Sequence, residues 1–311
     1  MKAVRFTQYG APSVLELTEV PVPVPAPGEA LVRVAGTSFN QVDATIRSGF
    51  LRDQFPLVLP HIPGIDLSGT VTAVGDGVES ELLGQRVLAF LPMNADGASA
   101  EYVVAPAALL AAAPQTVDLA DAAALPTAGL TAWQAIVEHA AVQPGQRVLV
   151  NGGGGGVGGI AIALAKHLGA HVIATASPRS LDAVRAAGAD EIVDYTRTPV
   201  IDSLADRVAV VINLVRNSPA DLAALRDRIH DGGVLVSTTS PAEPDTARGV
   251  RAGNVFVRSD SDQLEDLVSL LEEGVLHLDV SERHDLADLQ KVHAAGEQGR
   301  LRGRAVIRIA N

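Results

Sequence analysis

Arg147-Val-Leu-Val-Asn151, followed by Gly152-Gly-Gly-Gly-Gly156-Val157-Gly158-Gly159, decides how the rest of the chain is read. An apolar, β-branched run ends in one polar residue and passes into eight residues of which seven are glycine. Ile160-Ala-Ile-Ala-Leu-Ala-Lys-His-Leu168 then carries apolar residues at helical spacing, and Gly169 is placed to end that helix. Strand, glycine turn and helix together make the context in which a glycine pattern points to a dinucleotide site. Gly153, Gly155 and Gly158 fill the register G-x-G-x-x-G. The first glycine permits a tight turn, the second lets a pyrophosphate approach the backbone, and the third lets helix and strand pack closely. Free N–H groups and the positive end of the helix dipole would meet the phosphate charge. A flexible linker is the bland alternative for so many glycines, and the flanking strand and helix argue against it.

Downstream, His171-Val-Ile-Ala-Thr175 reads as a second strand, and Ser180 to Ala187 as a helix closed by Gly188. Glu191–Asp194, Val208–Val215 and Gly233–Ser237 read as further strands, with a helix from Ala220 to Ile229 and a sixth strand at Asn254–Val257. Strands that alternate with helices predict an α/β fold, a doubly wound parallel sheet of the Rossmann type. The end of the second strand speaks to the nucleotide. Where an Asp or Glu would hold a ribose 2′-hydroxyl, Ala174-Thr-Ala-Ser177-Pro-Arg179-Ser180 has no acid. A hydroxyl at Ser177 and a cation at Arg179 suit a 2′-phosphate, so the expected cofactor is NADPH. In the bland reading Ser177 caps the next helix and Arg179 is a solvated surface residue.

The chain has 311 residues, 47% of them hydrophobic, enough for two domains with separate cores. A net charge of −12 argues against electrostatic attraction to nucleic acid or an anionic membrane. No apolar stretch approaches the ~20 residues of a membrane span. The opening Met1-Lys-Ala-Val-Arg-Phe6 reads as a strand without the apolar core of a signal peptide, so a cytoplasmic protein is expected. Cysteine is absent, which excludes disulfides, thiolate zinc sites and cysteine nucleophiles. Before residue 120 the sequence is strand-rich. An extended proline-alternating connector over 21–27 is followed by strands at Glu29–Ala35, Ser68–Val74 and Gln85–Phe90. Helices are expected at Leu130–Ala141, Asp262–Glu273 and Leu286–Ala295. A last strand, Arg304–Ile309, is expected to return to the first.

Six segments in order resemble the medium-chain dehydrogenase/reductase superfamily, specifically its zinc-independent quinone oxidoreductase branch, over nearly the whole chain. They are Asn40-Gln-Val-Asp43 with Ile46-Arg-Ser-Gly49, Pro63-Gly-Ile-Asp-Leu-Ser-Gly-Thr-Val71, Ala98-Ser-Ala-Glu-Tyr-Val103, Leu125–Trp133, Gly152–Gly158 and Gly299-Arg-Leu-Arg-Gly-Arg304. The resemblance implies a β-rich GroES-like catalytic domain (residues 1–120 and 263–311) beside a Rossmann NADP(H) domain (residues 121–262). It implies a cofactor site over Gly153, Gly155, Gly156, Val157 and Gly158, with pyrophosphate contacts from Gly155, Gly156 and Val157, and a 2′-phosphate held by Ser177, Arg179 and Tyr195. Asn213, Ser237 and Arg304 would lie along the ribose and nicotinamide, with Asn40 and Thr127 at the catalytic end. A homodimer formed through the sheet edge at Asn254–Val257 is expected on the same ground.

In zinc-dependent relatives a Cys stands at position 40 and a His-Glu pair at 65 and 66. Asn40 and Ile65 supply no strong zinc ligand, so no metal is expected. His61 is then read as an ordinary polar position, Asp43 as an acceptor for backbone donors, and Phe50, Phe90 and Phe256 as candidate pocket walls. The implied activity is NADPH-dependent hydride transfer to a quinone or an α,β-unsaturated carbonyl. Tyrosines that several quinone reductases carry near the substrate are Thr45 and Leu51 here, and aromatic residues make up only 3% of the chain. An enoyl reductase tailoring a polyketide or acyl thioester, and a non-catalytic NADPH-binding protein on the same fold, are the alternatives.

Overall fold

In the computed structural model, which describes residues 1–309, Arg147–Asn151 is a strand flanked by two parallel neighbours, His171–Ala176 and Val208–Asn213. Val148, Leu149 and Val150 are fully buried, as a strand covered on both faces requires. Burial of each such side chain contributes roughly 1.5–3 kcal/mol. Glu191–Asp194, Ile229–Ser237 and Arg251–Asn254 complete a six-stranded parallel sheet. Numbered along the chain, its strands lie in the order third, second, first, fourth, fifth, sixth. The order reverses beside the first strand, where doubly wound sheets bind nucleotides. The sixth strand lies three residues earlier than expected, at Arg251–Asn254 rather than Asn254–Val257. Its polar Arg-Ala-Gly-Asn sequence joins the sheet by pairing with Val234–Ser237, whereas Val255 is buried beyond the strand.

Two compact units divide the chain. The nucleotide unit comprises Ala128–Arg258 and Glu273–Asp279, and the other comprises Met1–Thr127, Ser259–Glu272 and the chain from Val280 onward. The latter holds a mainly antiparallel seven-stranded sheet. Its central strand, Glu29–Ser38, pairs with Asp66–Val74, Tyr102–Pro106 and the closing strand Arg304–Arg308. The closing strand therefore returns to Glu29–Ser38 and not to the first strand. Lys2–Arg5 is occupied in a separate hairpin-like pair with Glu16–Glu19. Val280–Asp285, a polar and half-exposed strand that the sequence did not signal, pairs parallel to Arg304–Arg308. The short helix Leu119–Ala122 packs on the central strand at Gly36, where a Cβ would come within 2.8 Å of Ala120 Cα. Asn40 begins the helix Gln41–Arg47 and Thr127 lies in the first turn of Pro126–Trp133.

Candidate functional site

The glycine turn divides its work among four residues. Gly152 carries the left-handed conformation, φ +103°, so the tight turn falls one residue before Gly153. A Cβ on Gly153 would lie 3.0 Å from both Ala174 Cβ and the Thr175 carbonyl oxygen, so this glycine serves packing against the second strand. On Gly158 a Cβ would run into the Gly152 carbonyl oxygen and come within 2.7 Å of Gly153 Cα. That is the close approach of helix to strand. Gly155 differs from these. Its φ of −90° suits any residue, and a Cβ there would meet only the Gly152 oxygen at 3.5 Å. Gly155 begins the twelve-residue helix Gly156–His167, and no side chain caps that helix. The N–H groups of Gly156, Val157 and Gly158 thus open the helix with its positive dipole end uncovered.

Beside the turn, the second strand ends in Ala176 and is followed by Ser177. Ser177 does not cap the following helix. Ser180 is the N-cap residue, and its hydroxyl accepts from Ser177 N at 3.1 Å while lying against Gly154. Arg179 is exposed and has no hydrogen-bond or ion-pair partner among the described residues. Tyr195 follows the third strand, its N–H donating to Ala176 O at 3.3 Å, which brings this 55% exposed residue to the same corner as Ser177. The nearest acid in register, Asp194, accepts from Thr196 N and Oγ1 at 3.0 and 2.6 Å. Asn213 and Ser237, expected along the ribose and nicotinamide, are buried in a row of polar side chains under the turn. Asn213 donates to Ser237 Oγ at 3.2 Å and accepts from Asn151 at 2.9 Å.

Asn40, Thr127 and Arg304 meet in the other unit, around a residue to which the sequence reading gave no role. Asp66 is fully buried and accepts five hydrogen bonds. Thr127 N and Oγ1 donate to Oδ1, each at 2.7 Å. Asn40 Nδ2 donates to Oδ2 at 2.8 Å, Arg304 Nη2 at 2.6 Å, and Ser38 Oγ also donates there. Arg304 Nη1 further donates to Asn40 Oδ1 at 2.9 Å, which fixes that amide's orientation. A carboxylate offers about four lone-pair sites, so Asp66 is saturated. Asp66 stands in the Pro63-Gly-x-Asp66 segment, which was the available signal. Its donors are scattered from residue 38 to residue 304.

Asp43, close by, accepts from Asn40 N at 3.2 Å and Gly64 N at 3.3 Å. Burial, reinforced by the charge of Asp66, raises its pKa to about 7 against the pull of those N–H donors. His61 packs edge-on to Phe6, with ring centroids 5.4 Å apart, and lies 3.5 Å from Asp96. Burial lowers its pKa, with Asp96 opposing. Phe90 is buried, whereas Phe50 and Phe256 are exposed. Among the described residues no three His, Cys, Asp or Glu converge as a metal site, and no helix is long and apolar enough to cross a membrane.

Residues 26–115 match the alcohol dehydrogenase GroES-like domain, and residues 187–307 match a family described as zinc-binding dehydrogenase. The chain is 31% identical over 325 residues to a chloroplast envelope quinone oxidoreductase homolog of Arabidopsis thaliana, covering 99% of this chain and 98% of that protein. An NADPH-dependent alkenal/one oxidoreductase of the same plant is 34% identical, over 88% of this chain and 70% of its own length. The quinone oxidoreductase of Coxiella burnetii superposes with a TM-score of 0.92 at 31% identity, covering 100% of this chain and 99% of the other. With a Rossmann unit built on the glycine turn, a GroES-like unit, and Asn40 and Ile65 at the family's zinc-ligand positions, the chain belongs to the zinc-independent quinone oxidoreductase branch of the medium-chain dehydrogenase/reductase superfamily.

Proposed function

We propose that the protein is an NADPH-dependent reductase that delivers hydride to an α,β-unsaturated carbonyl or a quinone. The observation that carries this reading is the open end of the glycine turn. The helix Gly156–His167 starts uncapped, and a Cβ placed on Gly155 would meet only the Gly152 carbonyl oxygen, at 3.5 Å. A pyrophosphate fits that geometry and helix charge. Ser177, the exposed Arg179 and Tyr195 supply a hydroxyl, a cation and a second hydroxyl for a 2′-phosphate, and Thr196 holds Asp194. NADPH, when bound, supplies the hydride.

The protein's part is position and charge. Both amide protons of Asn40 are taken up, by Asp66 and by Ser38 O at 2.8 and 3.4 Å. Asn40 and Thr127 therefore act by presenting a rigid polar surface, with Asp66 as the post that holds them. Neither residue at the tyrosine positions supplies a proton to the reduced product. Thr45 Oγ1 donates to Gln41 O at 2.8 Å, and Leu51 has no acidic hydrogen. Water is the proton source in this reading. The scarcity of aromatic residues favours a small enone over a flat quinone. The protein is further read as a homodimer joined at Arg251–Asn254, an outer strand paired on one side only. NADPH oxidation with quinones, 2-alkenals and enoyl thioesters, with NADH as control, tests the reading. Turnover with NADPH preferred is expected, and NADPH binding should vanish in Gly155→Val while the fold persists. Unchanged NADPH affinity in that variant removes the assignment of the turn.

A further inference from the structure

Four adjacent strands of the nucleotide sheet carry a polar residue at the same level, the last residue of three of them and the next-to-last of the other. Thr175, Asn151, Asn213 and Ser237 belong to the second, first, fourth and fifth strands, which are adjacent in the sheet. The register pairs Asn213 with Asn151 on one side and with Ser237 on the other. Val150 pairs with Ala174, which brings Thr175 level with Asn151. Side chains in one row of a sheet stand on the same face, so these four are neighbours by construction. All four are at least nine-tenths buried in a sheet whose remaining interior is apolar. Burying such groups is tolerated only when they find partners.

They do, and the hydrogen bonds run in one direction. Gly152 N donates to Thr175 Oγ1 at 2.8 Å. Thr175 has a single hydroxyl proton and gives it to Asn151 Oδ1 at 3.2 Å. Asn151 Nδ2 donates to Asn213 Oδ1 at 2.9 Å. Asn213 Nδ2 then donates to Val215 O at 2.9 Å and Ser237 Oγ at 3.2 Å. The ladder thus starts on the one glycine of the turn whose conformation is left-handed, φ +103°. Because the amide of Asn213 is held at its far end, Asn151 presents its oxygen to Thr175. The Thr175 hydroxyl is in turn left with a lone pair for Gly152.

We infer that this ladder sets the shape of the glycine turn for pyrophosphate, with Thr175 as the positioning residue that anchors Gly152. The inference rests on reading the turn as the pyrophosphate site. It adds that affinity for the diphosphate is built partly from Thr175 and Asn151, which lie behind Gly152 and are given no contact with the ligand. Loss of the anchor frees Gly152, the most permissive residue in the chain, and leaves a backbone N–H unpaired.

The test compares NADPH with 2′-AMP, which carries the 2′-phosphate and adenosine but no diphosphate. In Thr175→Val the dissociation constant for NADPH should rise roughly tenfold, the effect of losing one buried hydrogen bond. That for 2′-AMP should stay within about twofold. Thr175→Ser, which keeps the hydroxyl, should restore NADPH affinity. Asn151→Leu, which removes the acceptor that orients the Thr175 hydroxyl, should weaken NADPH in the same selective way and stands in if Thr175→Val does not fold. Unchanged NADPH affinity in both variants overturns the inference while leaving the cofactor assignment intact. Equal loss for NADPH and 2′-AMP also overturns it, because the damage would then be general. Failure of the unaltered protein to bind NADPH overturns both.

Discussion

The GroES-like unit buries its polar side chains as charges around Asp66 and Arg304, whereas the nucleotide unit buries its own as neutral amides and hydroxyls from Thr175 to Ser237. Both arrangements are nearly saturated with hydrogen bonds, and both include residues assigned to the site. They differ in what the loss of one member leaves behind. A broken neutral ladder leaves an unpaired donor or acceptor, whose cost is a desolvated dipole. A broken ion pair leaves a whole charge in a place closed to water. In the GroES-like unit Asp66 and Arg304 compensate each other and hold Asn40 and Thr127 in place. In the nucleotide unit the requirement is directional, to orient one backbone N–H, and amides suffice.

The largest expected effect tests the charged half of this contrast. Arg304→Leu removes the only cation that touches Asp66 in the interactions described above, and should destabilise the GroES-like unit by about 3–5 kcal/mol. Asp66→Asn combined with Arg304→Leu should recover most of that loss, since no charge is then left unpaired. Denaturant unfolding of the four proteins, with the transition of each unit followed separately, measures both numbers. A loss below about 1 kcal/mol for Arg304→Leu would mean that the four remaining donors, Ser38, Asn40 and the two from Thr127, carry the Asp66 charge alone. The contrast between the units would then fail.

A second effect follows from titration, which the neutral ladder lacks. Asp43 ionises near pH 7 in the folded chain, against an ordinary value of 3.8. Between those values the folded protein keeps a proton that the unfolded chain has released, so stability falls as pH rises through the window. His293 works in the opposite sense. Burial, with the Arg47 guanidinium 3.3 Å from its Nδ1, lowers its pKa to about 3 from 6.5. The unfolded chain takes up a proton below 6.5 that the folded chain refuses until about 3, so stability falls as pH drops through that window. Asp43→Asn should therefore gain on the unaltered protein as pH rises from about 4 to 7, by up to about 4 kcal/mol. Thermal melting across that range decides it. A constant difference between the two proteins would place Asp43 as an anion throughout.

How much of this was legible beforehand depends on whether the physics was local. The strand, turn and helix at residues 147–168 are written in consecutive residues, and so are the distinct duties of Gly155 and Gly158. The ladder was half legible. Each of its members is a polar residue at or near the end of an apolar strand, but their common level is set by register, which the sequence does not print. The saturation of Asp66 was not legible at all, because its donors come from positions 38, 40, 127 and 304. Val280–Asp285 escaped for a related reason. Its alternation is polar and half-exposed, and it becomes a strand only because Arg304–Arg308 offers an edge. The sixth nucleotide strand was displaced toward Val255 and Val257 because apolar β-branched residues outweigh Arg-Ala-Gly-Asn in any local reading.

The smallest effect is the one that isolates the neutral half of the comparison. Asn213 is fully buried and makes three hydrogen bonds, to Asn151, Val215 and Ser237. Leucine is close to it in shape and fills the same space, so Asn213→Leu removes the bonds without opening a cavity. What remains unpaired is the Asn151 amide donor, at a cost of about 1–3 kcal/mol, while the Val215 carbonyl oxygen still accepts from Thr239 Oγ1 at 2.6 Å. That loss should be independent of pH and of ionic strength, because no member of the ladder carries a charge. Pairing it with Asn151→Leu should cost less than the sum of the two single changes, since the second removes the donor that the first left stranded. Denaturant unfolding at low and high salt measures the set. A salt-dependent loss, or full additivity between Asn151 and Asn213, would show that the two amides are not acting on each other, and the ladder would reduce to separate local contacts.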